Sequence, residues 1–213
     1  RLARRASASS FVICTAAAQA LFSRAGGLTD VVLSTTTSGR HHQEVDRVIG
    51  MFAGVGRMRT SVAGDPTFET IVRRARDAIL GLFEHHDVPF LRIRDVLFPD
   101  FPGPADPVRL AAALPVELLY FHVSAGETAP GSAVVRRAGG GGLDEVFFRG
   151  QLHPLSLTFL DEGRRLSGWF SYKQDFYDDT TVARLCDGLG AVFSAVAVDP
   201  RLRLSELPVG TGA

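Results

Sequence analysis

Apolar residues recur at helical spacing through Phe11, Cys14, Ala18, Leu21 and Phe22, which predicts a helix from about Ser9 to Arg24. Gly26 and Gly27 follow it and suit a left-handed C-terminal cap. Val31, Val32 and Leu33 form an unbroken aliphatic run, the pattern of a strand covered on both faces. The run opens into the polar, turn-prone stretch from Ser34 to Gly39. A short helical turn is expected near Glu44 to Val48, and a strand from Met51 to Thr60. The most regular stripe is Phe68, Ile71, Val72, Ala75, Ile79, Leu82 and Phe83. With Asp65 as N-cap and Pro66 at the first helical position, it predicts a helix that stops near His85 and His86, ahead of Pro89.

Further along, a short helix is expected from about Leu91 to Leu97, then a Pro-rich link from Phe98 to Pro107. Val116 to Val123 reads as a strand, and residues 124–144, with Gly139 to Gly142, as a long loop. Strands follow near Glu145–Arg149, Leu155–Asp161 and Leu166–Lys173, the last two joined at Glu162-Gly163. Asp178, Asp179 and Thr180 cap a final amphipathic helix carrying Val182, Leu185, Cys186, Leu189 and Phe193, and Asp199-Pro200 ends it. Helices and strands alternate early and strands cluster late. The expected class is therefore α/β: a mixed sheet with helices packed on it.

Composition narrows the function. The chain has 213 residues, 46% of them hydrophobic, which suits one domain or one large lobe. Its 23 basic and 23 acidic residues cancel, so there is no basic field for nucleic acid. No apolar run approaches the ~18 residues of a membrane span. Cys14 and Cys186 read as two isolated buried thiols, which fits a reducing compartment. The chain is expected to be cytoplasmic and part of a longer polypeptide, with residues 1–213 forming a single lobe.

His41, His42 and Asp46 have the spacing H-H-x-x-x-D, in which an imidazole beside an orienting carboxylate would take a proton. Arg47 stands where such a turn needs glycine, and the alternative is a solvated polar segment. His85 and His86 invite a metal reading with His41 and His42, against which stands a helix end that favours cationic side chains. No metal site is expected. The glycines at 139–142 lack the lysine and hydroxyl residue of a phosphate loop.

Several motifs then occur in order. Asp30-Val31-Val32-Leu33-Ser34-Thr35 precedes Ser38-Gly39-Arg40, and Ile49-Gly50-Met51-Phe52 runs on to Arg59 in the pattern I-G-x-F-V-N-T-x-x-x-R. His85-His86-Asp87-Val88-Pro89-Phe90 resembles H-Q-D-x-P-F, and Gln174 to Asp178 opens the last helix. In this order the chain resembles the C-terminal half of a nonribosomal peptide synthetase condensation domain. The resemblance implies a chloramphenicol-acetyltransferase-like fold of two lobes with a tunnel between them. There an amine acceptor attacks a donor thioester to form an amide (peptide) bond. Both substrates ride on phosphopantetheine arms of peptidyl or aryl carrier proteins, and no cofactor is bound directly. The catalytic motif H-H-x-x-x-D-G would lie in the N-terminal lobe, absent here, so no catalytic residue is expected in this chain. Tunnel-lining roles are implied for Ser34, Thr36, Ser38, Gly39, Gly50, Phe52 and Gly54. Structural roles are implied for Arg40, Arg59, Asp87, Pro89 and Phe90.

The departures matter too. Ala53-Gly54-Val55 replaces Val-Asn-Thr, Ala113 to Glu117 stands for R-N-P-L-F, and His153-Pro154-Leu155 replaces Phe-Asp-Leu. They keep open a platform domain that recruits a partner enzyme, or an epimerisation or cyclisation relative. An independent mixed-sheet protein of another class is the remaining alternative.

Overall fold

In a computed structural model, which describes residues 2–40, 42–86, 88, 92, 96, 116–122, 153–163 and 165–208, the first apolar stripe forms the helix α2 (Ser10–Gly26). A single turn, α1 (Leu2–Arg5), precedes it and is too short to show periodicity. Ser9 caps α2 by accepting the Val12 N–H at 3.3 Å, and Gly27 closes it at φ 64°. Ala16, Ala17, Ala18 and Ala20 are fully buried, so small side chains bring the neighbouring elements close around this central helix.

The strand β1 (Asp30–Thr37) runs further than the aliphatic run implied. Ser34 to Thr37, expected to turn, instead pair antiparallel with β2 (Gly54–Ser61), Ser34 opposite Arg57 and Thr37 opposite Gly54. β-branched Thr fits a pleated surface once a partner is present, and the partner overrides the local turn signal. β2 begins at Gly54 and not at Met51, and the turn before it is a 3-10 segment, Gln43–Val45.

The helix α3 (Phe68–Glu84) follows the second stripe, but its N-cap is Thr67, whose hydroxyl accepts the Thr70 N–H at 3.3 Å. Asp65, expected in that role, sits at φ 50°. Its carboxylate instead accepts the Ser205 N–H at 2.8 Å and the Ser205 hydroxyl at 2.9 Å, tying down the 3-10 turn Leu204–Glu206. The chain offered two short oxygen-bearing side chains before one helix, and long-range bonding decided between them.

The remaining strands are β3 (Val116–His122), β4 (Leu155–Asp161) and β5 (Leu166–Tyr172). The five-stranded sheet has the order β2-β1-β3-β4-β5, with β1, β3 and β4 mutually parallel and both edge strands antiparallel. This is the mixed sheet expected. The strand expected at 145–149 and the elements between 97 and 115 lie outside the described residues, as do the loop at 124–144 and most of the 91–97 helix.

The last helix, α4 (Asp179–Val198), buries Val182, Leu185, Leu189, Val192 and Val196 against α2 and β5. By length and composition it is apolar enough to cross a bilayer, which the search for an unbroken apolar run missed. Its buried stripe is nevertheless that of a helix seated on a sheet. Cys186 lies one position off that stripe and is exposed, contrary to expectation, whereas Cys14 is buried and its thiol is pushed up to about 12, chiefly by desolvation. Both cysteines are free.

Asp178 caps α4, accepting the Thr181 N–H at 2.6 Å and the Thr180 hydroxyl at 2.6 Å. These bonds hold its carboxyl at about 2, below the ordinary 3.8. A carboxylate depressed in the folded state stabilises the fold above its unfolded value and stops doing so as pH falls through the folded one. Asp178→Ala is therefore expected to melt below wild type at pH 7. The gap should close between about pH 4 and pH 2, and thermal melts across that range check it. A gap independent of pH would remove the carboxylate from the cap.

Candidate functional site

Pleat alternation sorts the sheet into two faces. Val31, Leu33, Met58, Leu118, Leu155, Leu157 and Phe159 point into the core with α2, α3 and α4. The opposite face carries no described helix; on it Val32, Val55, Phe121 and Trp169 are exposed, whereas Ser34, Ser156, Thr158 and Ser171 are buried. Parallel strands are normally covered on both sides, so this open face is where a further layer or ligand belongs.

The segment between β1 and β2 forms one rim of that face. Gly39 adopts φ 65°, and a Cβ placed there would lie 1.7 Å from the Phe52 carbonyl oxygen. Only glycine lets the two backbones meet. Beside it, the Arg40 guanidinium donates to the carbonyls of Val45 and Gly50 and stacks over the Phe52 ring at 4.5 Å. One arginine thus gathers the whole 40–52 excursion by two carbonyl bonds and a cation–π contact. Gly50 lies against the Phe52 ring, where an added Cβ would stand 3.2 Å from the ring edge, and Gly54 sits under the Thr37 hydroxyl. Ser38 accepts the Arg40 N–H at 3.3 Å. Ile49 and Met51 project from this ordered rim at 101% and 94% exposure.

The structure brings Ser38, Gly39, Arg40, Gly50, Phe52 and Gly54 together. Thr36 points onto the open face and is exposed, whereas Ser34 is fully buried and accepts a hydrogen bond from Arg57. Arg59 pairs with Asp30 through Nε at 2.8 Å and Nη2 at 2.6 Å, bracing the far end of the β1–β2 ladder. His42 caps the 3-10 turn through its backbone and is exposed, as is Asp46; no hydrogen bond or ion pair joins the two side chains. His85 ends α3, and His86 Nδ1 lies 2.7 Å from the Phe83 carbonyl oxygen. His41, Asp87, Pro89 and Phe90 lie outside the described residues.

Sequence reasoning missed a polar row crossing the open face. Register places Arg57, Ser34, Glu117, Ser156 and Ser171 side by side on β2, β1, β3, β4 and β5. Arg57 donates to Ser34, and the Ser156 hydroxyl donates to Glu117 Oε2 at 2.8 Å. His153 Nε2 stands 3.9 Å from Glu117 Oε1. Burial pushes the Arg57 guanidinium down to about 10 despite the counter-charge of Glu117. Glu117 and His153 were visible beforehand only as departures from a motif. Nothing in their spacing announced that they touch.

Residues 1–99 match the family model of the condensation domain. Over its whole length the chain is 29% identical to a linear gramicidin synthase of Brevibacillus parabrevis, of which it spans 4%. Among solved structures, an X-domain in complex with OxyB from teicoplanin biosynthesis is 26% identical with a TM-score of 0.72, covering 100% of this chain and 46% of its own. The first condensation domain of the CDA synthetase shares the fold at a TM-score of 0.71 and 16% identity, over 99% of this chain and 44% of its own. The mixed sheet and these likenesses agree: residues 1–99 match the condensation domain, and the chain has the fold of the solved condensation domains.

Proposed function

We propose that residues 1–213 are the C-terminal lobe of a cytoplasmic condensation-type acyltransferase, with the open sheet face and the 38–54 rim as one wall of its tunnel. An acceptor amine, carried on one phosphopantetheine arm, attacks the thioester carbonyl carbon of a donor carried on another. The C–N bond forms, the C–S bond breaks, and the donor carrier leaves as a free thiol. The proton shed by the amine goes to a base on the N-terminal lobe. This chain's contribution is position: a rim fixed by Arg40, with small residues at 39, 50 and 54 that admit a thin substrate arm.

The observation that carries this reading is the open face. Exposed Val32, Val55, Phe121, Ile49 and Met51 are what a lobe leaves bare when its partner lobe is taken away. The solved relatives support it, since each matches this chain over somewhat less than half of its own length.

The test is amide formation between carrier-bound substrates, measured for the 213-residue chain alone and for the chain joined to a lobe bearing H-H-x-x-x-D-G. Product is expected only from the joined form. Turnover by the chain alone would overturn the reading and move the base to His42.

A platform domain is the second reading. It is favoured by Gly54 where the motif has a polar residue, and by the 26% identity to a domain solved with OxyB. A two-lobe protein that binds a partner enzyme and forms no amide would decide for it.

A further inference from the structure

We propose that Glu117, oriented by His153 and Ser156, is a specificity-determining residue of the open face, selecting a substrate side chain that is a neutral hydrogen-bond donor, a hydroxyl or a carboxamide. The inference rests on the tunnel reading above, and it concerns residues that the motifs left unexplained.

The carboxylate is partly exposed and the two groups beside it are not. Glu117 keeps 18% of its side-chain surface exposed, whereas the His153 side chain keeps 8% and Ser156 is buried. Both groups address the carboxylate, Ser156 by a 2.8 Å hydrogen bond to Oε2 and His153 at 3.9 Å from Oε1. A carboxylate has about four acceptor positions, so the lone pairs that these two groups leave over accept from a ligand that donates. A fully charged ligand is disfavoured, because Arg57 lies two strands away in the same row, roughly 10 Å off, and already balances Glu117. What fits is an uncharged O–H or N–H.

The sequence departures point the same way. Glu117 and His153 both stand where the motifs carry phenylalanine, in R-N-P-L-F and Phe-Asp-Leu. The structure shows that the two replaced positions are neighbours. Where the motifs have two apolar rings, this chain has an acid beside an imidazole, and burying polar groups costs less when they face each other. His153 is a positioning residue, acting on the substrate through Glu117.

The experiment compares threonyl and valyl N-acetylcysteamine thioesters, which differ by one hydroxyl in nearly equal volume. In the two-lobe protein, kcat/KM is expected to favour threonyl by roughly 10- to 100-fold, since the valyl ester offers the half-buried carboxylate no donor in place of the water it displaces. Glu117→Leu should abolish the preference. His153→Phe should weaken it and His153→Gln, which keeps a donor, should restore it, a distinction that a merely structural role would not produce. Glu117→Phe combined with His153→Phe rebuilds the apolar pair and guards against a folding failure; it should turn the preference toward valyl. Retention of the threonyl preference by that double variant, or equal use of both esters by wild type, overturns the proposal. If neither ester is condensed, the tunnel reading fails on its own. Histidine-labelled NMR of the 213-residue chain then decides the pair: the threonyl ester must shift the His153 ring signals and the valyl ester must not, and equal response to both refutes it.

Discussion

Gly39→Ala is expected to cost about 3 kcal/mol or more, against about 1 kcal/mol for Gly27→Ala. Both glycines have φ near +64°, so both alanines pay the same left-handed penalty. At Gly27 nothing lies within 4 Å of the added Cβ, whereas at Gly39 the Phe52 carbonyl oxygen lies at 1.7 Å. That carbonyl would have to retreat by roughly 1.5 Å to reach van der Waals distance. It cannot do so alone, because the Phe52 ring is held under Arg40, and Arg40 is bonded to Val45 and Gly50. The displacement therefore spreads through the rim. In the two-lobe protein a shift of that size at a substrate wall is worth about 100-fold in kcat/KM, while Gly27→Ala, at the far end of α2, leaves turnover intact. Thermal melts separate the two variants by about 4 °C or more at 2–4 °C per kcal/mol for a chain of this length. Equal losses in the two would show that the rim yields freely and that Arg40 does not hold it.

Local signals located most of the elements. Ser9, Gly27 and Asp178 cap helices as their side chains or freedom allow, and the Glu162-Gly163 turn joins β4 to β5 with Gly163 at φ 78°. Each of these features is decided within a few residues, so the chain states it directly. Apart from Cys186, misplaced by one position on its helix, the failures are long-range. Thr67 displaced Asp65 as a cap because Ser205, far along the chain, claimed the carboxylate. Ser34 to Thr37 became strand because β2 returned to pair with them.

The candidate site divides in the same way. The rim was legible through its motifs, since Gly39, Arg40, Gly50 and Phe52 lie close in sequence. The row from Arg57 to Ser171 was not, because strand order and register bring it together, and a one-residue slip would send each side chain to the other face.

Phe68→Ala is expected to lower stability by about 3–5 kcal/mol, with a fall in melting temperature of about 6–20 °C. Phe68 is fully buried at the start of α3 and, among the described residues, is the largest side chain in the core without exposed surface. Removing its ring leaves a cavity that the surrounding backbone cannot close, because that backbone is pinned. The Phe68 N–H donates to the Leu202 carbonyl at 2.9 Å, the Glu69 N–H donates to the Pro200 carbonyl at 3.0 Å, and Asp65 holds Ser205. These bonds fasten the C-terminal segment across the first turn of α3, satisfying N–H groups that a helix start leaves open. The same helix carries Leu82 to the underside of β2, where Gly56 leaves it room: a Cβ there would lie 2.4 Å from a Leu82 methyl. Loss of Phe68 thus loosens the floor beneath Arg57 as well as the core. Phe68→Leu, which keeps most of the volume, should lose less than half as much. Chemical denaturation of the two variants gives the comparison. A Phe68→Ala protein as stable as the leucine variant would mean that the site collapses around the missing ring, and that the C-terminal segment is not held where these bonds place it.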